Sequence, residues 1–189
     1  MGRHAASFVV CAAAVLISGC VTNIKPSAET NPPPTERFGN FDRFELTNIE
    51  MAPEYVNSDS SQKALRKIQE NLTAGMRPML DDWTGKGTVK GRTLKIEPRV
   101  EQIKFVSIGD RIMVGAMAGS SAVVMKVRYR DAATGKVIAE PEFYQRAKAS
   151  THGFGAADNL MLNFIAEAVV RYTTANYNAA VGSPVGGDY

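Results

Sequence analysis

Three features of the sequence predict an α+β domain, an antiparallel sheet of about four strands with two helices packed on one face. Residues 58–83 and 156–178 carry apolar side chains at spacings of three and four, the helical period. Residues 122–130 alternate, with Val123, Met125, Val127 and Tyr129 on one side and Lys126, Arg128 and Arg130 on the other. Period two with one polar face marks a half-buried antiparallel strand. The element order is β-α-β-β-β-α, and helices collected on one face of an antiparallel sheet make an α+β fold.

Composition bounds the rest. The chain has 189 residues, 44% hydrophobic and 22% charged. That balance excludes a fully disordered chain, a collagen-like fibre and a polytopic membrane protein, and the length suits one domain. A net charge of +3 is too small to imply a polyanion, so no nucleic-acid partner is expected.

The elements follow in order. Residues 8–17 (FVVCAAAVLI) are continuously apolar behind Arg3. They are too short to span a bilayer, which takes about twenty residues as a helix, and read as a secretory signal over residues 1–19. Residues 20–40 contain Pro26, Pro32, Pro33 and Pro34 and read as an extended linker before the domain. A single domain is expected over 41–181, with a flexible tail at 182–189.

Residues 41–51 are β-prone, with Phe44 and Leu46 on one face. In the first helix, Leu65, Ile68, Leu72, Met76 and Met79 form the stripe, Asp59 or Ser60 can cap the start, and Pro78 is expected to kink or end it. Residues 85–91 are a turn cluster. In residues 93–106, Leu94, Ile96 and Val100 share one phase while Ile103 and Phe105 share the other, so a bulge is expected near Glu101 and Gln102. After the alternating strand, residues 131–135 form a turn in which Gly135 supplies positive φ. Residues 136–148 return with Val137, Ala139, Phe143 and Ala147 in phase, and Pro141 implies an edge or a bulge. The last helix places Leu160, Phe164, Ala168, Tyr172 and Ala175 on one stripe.

Directly after the apolar run comes Ile17-Ser18-Gly19-Cys20, which resembles the bacterial lipobox. The resemblance implies signal-peptidase recognition through Ile17, Ser18 and Gly19. It implies acylation of Cys20, cleavage before it and acylation of the new amine. Val21, where an Asp retains such proteins at the inner membrane, implies the outer membrane. Cys11 leaves with the signal, so the mature chain keeps no thiol for a disulfide or a thiolate metal site.

Three features of the second half resemble uncharacterised lipoprotein families of Gram-negative bacteria, described as domains of unknown function. They are the glycine-rich run from Gly109-Asp110-Arg111 to Gly119-Ser120-Ser121, the hairpin from Asp131 to Ala139, and Gly153-Phe154-Gly155 before the last helix. Over residues 90–178 the element order is also similar to the core of the curli-secretion lipoprotein and to the N-terminal domain of TolB-like proteins. This resemblance implies an envelope accessory or assembly protein and carries over no catalytic residue.

Candidate chemistry is sparse. Ser60 and Lys63 have the S-x-x-K spacing without its partner motifs, so a capped helix start is expected there. A zinc site needs three or four ligands, and His152 stands without a His or Cys cluster. The paired carboxylates Asp81 and Asp82, and Glu140 and Glu142, lack an evident acid–base partner. The basic stripe Lys126, Arg128, Arg130 reads as a solvated face that Glu140 and Glu142 can pair with. The candidate interaction loop is residues 108–121. There Ile112, Met113 and Met117 offer apolar anchors, and Gly115 and Gly119 permit unusual backbone shapes.

The expectation is a membrane-anchored, periplasm-facing lipoprotein that works as a non-catalytic binding or assembly factor. Its partners would be membrane lipid, through acylated Cys20, and an envelope protein; oligomers are compatible. No cofactor and no metal are expected. The alternative is an envelope hydrolase acting on cell-wall or lipid substrate.

Overall fold

The structure, a computed structural model, describes residues 24–106, 120–147 and 156–188. Ile17 to Cys20, the loop residues Ile112, Met113, Gly115, Met117 and Gly119, and His152 lie outside the described residues.

The strands are β1 Thr30–Asn31, β2 Arg43–Leu46, β3 Glu50–Met51, β4 Thr93–Lys104, β5 Ala122–Asp131, β6 Val137–Ala139, β7 Glu142–Arg146, β8 Ser183–Pro184 and β9 Gly186–Asp188; the helices are α1 Asp59–Trp83 and α2 Ala156–Asn178. The main sheet runs β2-β4-β5-β7-β9, with β3 beside β4 and β6 beside β5. It is therefore mixed and seven-stranded, which corrects the expectation of about four antiparallel strands. β2 and β3 lie parallel to β4, and β9 lies parallel to β7. The reason is topological: a helix between two strands carries the chain back to its starting end, so the next strand enters in the same direction. α1 does this before β4 and α2 before β9.

Both helices cover one face. Ile68, Leu72 and Met76 of α1 and Ile165, Val169 and Tyr172 of α2 meet Leu94, Ile96, Val123, Met125, Val127 and Tyr129 of the sheet in one buried cluster. In α1 the buried stripe is Ser61, Ala64, Ile68, Leu72, Met76, Leu80 and Trp83, with Leu65 and Met79 half-buried at its edge. The cap is Ser58, whose Oγ accepts from the Ser61 amide at 3.4 Å, rather than Asp59 or Ser60. Pro78 does not end the helix. Pro78 and Ala74, whose carbonyl loses its partner, both face solvent, where water can satisfy it.

In α2 the buried stripe is Met161, Leu162, Ile165, Ala166, Val169 and Tyr172, continued by Thr173 and Asn176. Leu160 is 54% exposed and Phe164 is half-buried, so the predicted stripe is one residue out of phase except at Tyr172, which is buried as expected. Apolar residues from Leu160 to Ile165 populate several faces of this helix, and only the sheet and α1 select among them.

The bulge expected in β4 is present. Val100 pairs with Met125 and Gln102 with Val124, so Glu101 is the extra residue and Ile103 returns to the helix side. A second irregularity, where Tyr129 pairs with Ala139 but Arg130 with Val137, buries Ile138 and exposes Val137. The phase assigned to Val137 is thereby corrected. Pro141 falls between β6 and β7, and its carbonyl accepts from the Val127 amide at 3.1 Å.

The two chain ends depart most from expectation. The described part of the Pro-rich stretch is not a free spacer: β1 pairs with β8, Asn31 and Phe38 are buried, and Phe38 stacks on Tyr129 at 4.6 Å. The tail also contributes two strands, and Val185 between them is 1% exposed. On the sheet face away from the helices, Ile24, Ala122, Val124, Tyr144 and Val185 form a second apolar cluster.

Candidate functional site

The N-terminal strap, residues 24–35, is built onto β7 by polar contacts. The Ser27 amide and hydroxyl donate to Oε1 and Oε2 of Glu142 at 2.6 and 2.8 Å. Asn31 closes a reciprocal pair, its Nδ2 donating to the Glu142 carbonyl at 2.7 Å and its Oδ1 accepting from the Glu142 amide at 2.8 Å. The Thr35 amide then donates to the Ile138 carbonyl at 2.8 Å. The strap therefore passes Tyr144, then Glu142, then Ile138, and runs against the direction of β7.

From Thr35 to Ile24 this course runs toward the Arg146 end of β7. There Lys104, Ala122 and Arg146 stand in one row across β4, β5 and β7. Ile24 packs on Ala122 in that row, and Lys25 beside it is exposed. Ser121 ties this end together: its Oγ accepts from the Val106 amide at 3.1 Å and its carbonyl from the Ala147 amide at 2.9 Å.

The opposite end is closed by Arg92. Its guanidinium donates to both Glu36 oxygens at 2.9 and 3.1 Å and to Asp131 Oδ2 at 2.7 Å, and lies 4.1 Å over the Phe41 ring. Arg92 holds the carboxyls of Glu36 and Asp131 below the usual carboxylate range. Nearby, Asp42 is lowered by the Gly91 amide and the Lys90 ammonium. Burial pushes the Tyr172 hydroxyl up to about 12, and the deeper Tyr129 hydroxyl, 2.6 Å from Thr173 Oγ1, is raised further.

Along the open sheet face the basic stripe is neutralised. Lys126 meets Glu142 at 4.0 Å, Arg128 meets Glu140 at 2.8 Å and Arg130 meets Glu97 at 2.7 Å. Lys126, Arg128, Glu140 and Glu97, with Thr47, Glu50 and Arg99, line a groove of about 170 Å³. A second groove, about 310 Å³, lies between β2 and α1 and is lined by Phe44, Leu46, Gln69 and Arg77 among others. Both have predominantly charged or polar walls.

The structure does not bring the sequence-derived chemical candidates together. Ser60 Oγ lies 2.9 Å from Ser58 Oγ at the start of α1, and Lys63 is exposed one turn on. Asp82 pairs with Lys86 at 2.6 Å. Glu140 is exposed, whereas Glu142 is buried under the strap. Among the described residues no group of three His, Cys, Asp or Glu is placed to hold a metal, and no helix is long and apolar enough to cross a membrane. Sequence reasoning missed Ser27, Asn31 and Arg92. Ser27 and Glu142 are 115 positions apart, and no local pattern links them.

No protein-family model matches the chain, and no curated protein does. Similar solved structures include the PelC dodecamer from Paraburkholderia phytofirmans, at 13% identity and a TM-score of 0.41 over 79% of this chain and 95% of that one. A Xanthomonas campestris protein of the family DUF330 is 9% identical with a TM-score of 0.42, over 78% and 92%. A candidate lipoprotein from Caulobacter crescentus is 14% identical with a TM-score of 0.32, over 71% and 86%. Likeness at this level transfers no residue's role to this chain.

Proposed function

We propose that the chain is a lipid-anchored, periplasm-facing lipoprotein of the bacterial envelope that acts as a non-catalytic binding or assembly factor. One observation supports this most: the lipobox-like Ile17-Ser18-Gly19-Cys20 stands three residues before Ile24, which is already buried on the sheet. Acyl chains on Cys20 would tether the sheet itself rather than a loose spacer. Each buried CH₂ contributes about 0.8 kcal/mol, and two or more chains give stable anchoring where one does not. Val21 after the Cys favours the outer membrane.

The partner is an envelope protein, and the segment proposed to contact it is residues 108–121, with Ile112, Met113 and Met117 as anchors and Gly115 and Gly119 shaping the backbone. Val106 just before it and Ser121 at its end, joined by a hydrogen bond, stand at the strap end of the sheet, beside the proposed anchor. Fractionation of cells carrying Cys20→Ala tests the anchoring. The protein is expected to leave the membrane fraction and appear in the soluble periplasm; full membrane retention contradicts the reading.

A further inference from the structure

We propose that the open edge of β2 at Phe44–Leu46, beside the groove against α1, docks a short extended segment of a partner protein, which joins the main sheet as an outer strand. Neither Cys20 nor residues 108–121 take part in this contact.

β2 is the last strand on its side of the main sheet, so one side meets β4 and the other meets no strand. The Arg43 amide donates to the Arg92 carbonyl at 3.0 Å, and the Thr47 amide donates to the Ile96 carbonyl at 3.0 Å. Bonds to one neighbouring strand come from alternate residues, so Arg43, Glu45 and Thr47 turn their backbone groups toward β4. Phe44 and Leu46 therefore turn theirs outward. At roughly 3.3 Å per residue these two amide and carbonyl sets stand about 6.6 Å apart.

The fold closes the edge on both sides of this window and leaves the window itself open. On one side the Gly85 amide, just past α1, donates to the Asp42 carbonyl at 2.8 Å. On the other the Ile49 amide donates to Gln69 Oε1 at 2.7 Å, so a side chain of α1 does there what a neighbouring strand would do. Among the described residues nothing bonds the outward groups of Phe44 and Leu46.

The groove of about 310 Å³ lies against that window. Phe44, Leu46 and Leu80 give it apolar surface, and Thr73 and Arg77 of α1 line its helix side. Arg77 shares the groove with Glu45 and Asp81, so the site selects backbone and shape rather than charge. Outward donors and acceptors at the strand repeat match an extended polypeptide, and a groove beside them receives its alternate side chains. Strand addition to an open sheet edge works in this way. The occupant is accordingly a segment with apolar, β-branched residues at alternate positions, which extends easily and places those side chains toward Phe44 and Leu46.

The purified full chain is titrated with the fluorescent peptide Lys-Thr-Val-Thr-Val-Thr-Lys. Saturable binding is expected, and exchange of the Phe44 and Leu46 amides with solvent should slow by about tenfold or more as they gain partners. N-methylation of one alternate set of peptide amides should abolish binding and methylation of the other set should preserve it, because only one set faces β2. Absence of binding, equal effects of the two methylations, or unchanged exchange at Phe44 and Leu46 would overturn the proposal. Leu46→Pro removes an outward N–H and no bond to β4, a change that an edge strand tolerates. It is expected to weaken binding by about tenfold, and undiminished binding by the folded variant would overturn the edge contact. If that variant does not fold, the two methylated peptides decide the question on the unaltered protein. Sedimentation that shows copies separating when the peptide is added would assign the edge to a second copy and overturn the partner segment. Cys20→Ala protein should bind the peptide equally, so failure here leaves the anchoring reading standing.

Discussion

Ser27 holds one carboxylate twice, its amide 2.6 Å and its hydroxyl 2.8 Å from the two oxygens of Glu142. Asn31 binds the backbone of the same residue in both directions. Glu142 is thus the post to which the first described segment of the chain is tied. Glu142→Ala removes the acceptor and leaves the Ser27 donors without it. A loss of about 1–3 kcal/mol is expected. Hydrogen exchange should rise selectively over residues 24–31, since the helix-side core does not depend on this contact.

The helix faces can be separated by two truncations. Leu72 is fully buried at the α1–sheet interface, and Leu72→Ala is expected to cost about 2–5 kcal/mol in urea titration. Leu160 is 54% exposed, and Leu160→Ala should change stability by less than about 0.5 kcal/mol. Comparable losses at both positions would contradict the face assigned to α2.

Gly186 fixes the C-terminal strand. Its φ is +150°, and a Cβ there would stand 1.9 Å from the Tyr144 carbonyl oxygen. Gly186→Ala should therefore pull β9 off β7 and expose Val185, with a cost of about 1–3 kcal/mol. Faster amide exchange in residues 183–188, with α1 unchanged, is the expected signature.

Arg92 couples folding to acid. Glu36 and Asp131 have folded pKa values below their ordinary ones, so both bind protons more weakly in the folded chain than in the unfolded chain. Their contribution is present at neutral pH and is lost as pH falls, between about pH 5 and pH 2. Arg92→Gln should be less stable than the native chain at pH 7, and the difference should shrink on acidification. Thermal melts across that range check it; a difference that grows as pH falls contradicts the sign.

Much of the central fold was legible in the sequence because it depends on local periodicity. The α1 and α2 boundaries, the two faces of β5, the β4 bulge and the turn at Gly135 all follow from the spacing of apolar residues and a few turn formers. The errors have physical causes. Pro78 is expected from the sequence to kink or end α1, but the helix continues to Trp83 because the freed carbonyl faces water. The α2 stripe slipped because that helix is apolar on several sides. The compositions of the Pro-rich segment and the Gly-rich tail carry no periodicity, so the sequence predicts them free. Their order comes from partners far along the chain: Glu142 for Ser27, Tyr144 for Gly186, and Tyr129 for Phe38. The parallel pairing of β9 with β7 was hidden for the same reason. Of the candidate functional features, the lipobox-like stretch and the apolar loop are visible only in sequence. The strap that links the first of them to the sheet is visible only in the structure.

The account turns on Cys20 being the lipidated first residue of a chain that belongs to the folded body from its first described residue, Ile24. Intact-mass measurement of the protein extracted from its native membranes tests this most directly. The account predicts a single mature chain beginning at Cys20 and carrying the mass of attached acyl and diacylglyceryl groups. A mature chain with an unmodified Cys20, or one that still contains Met1, would contradict it.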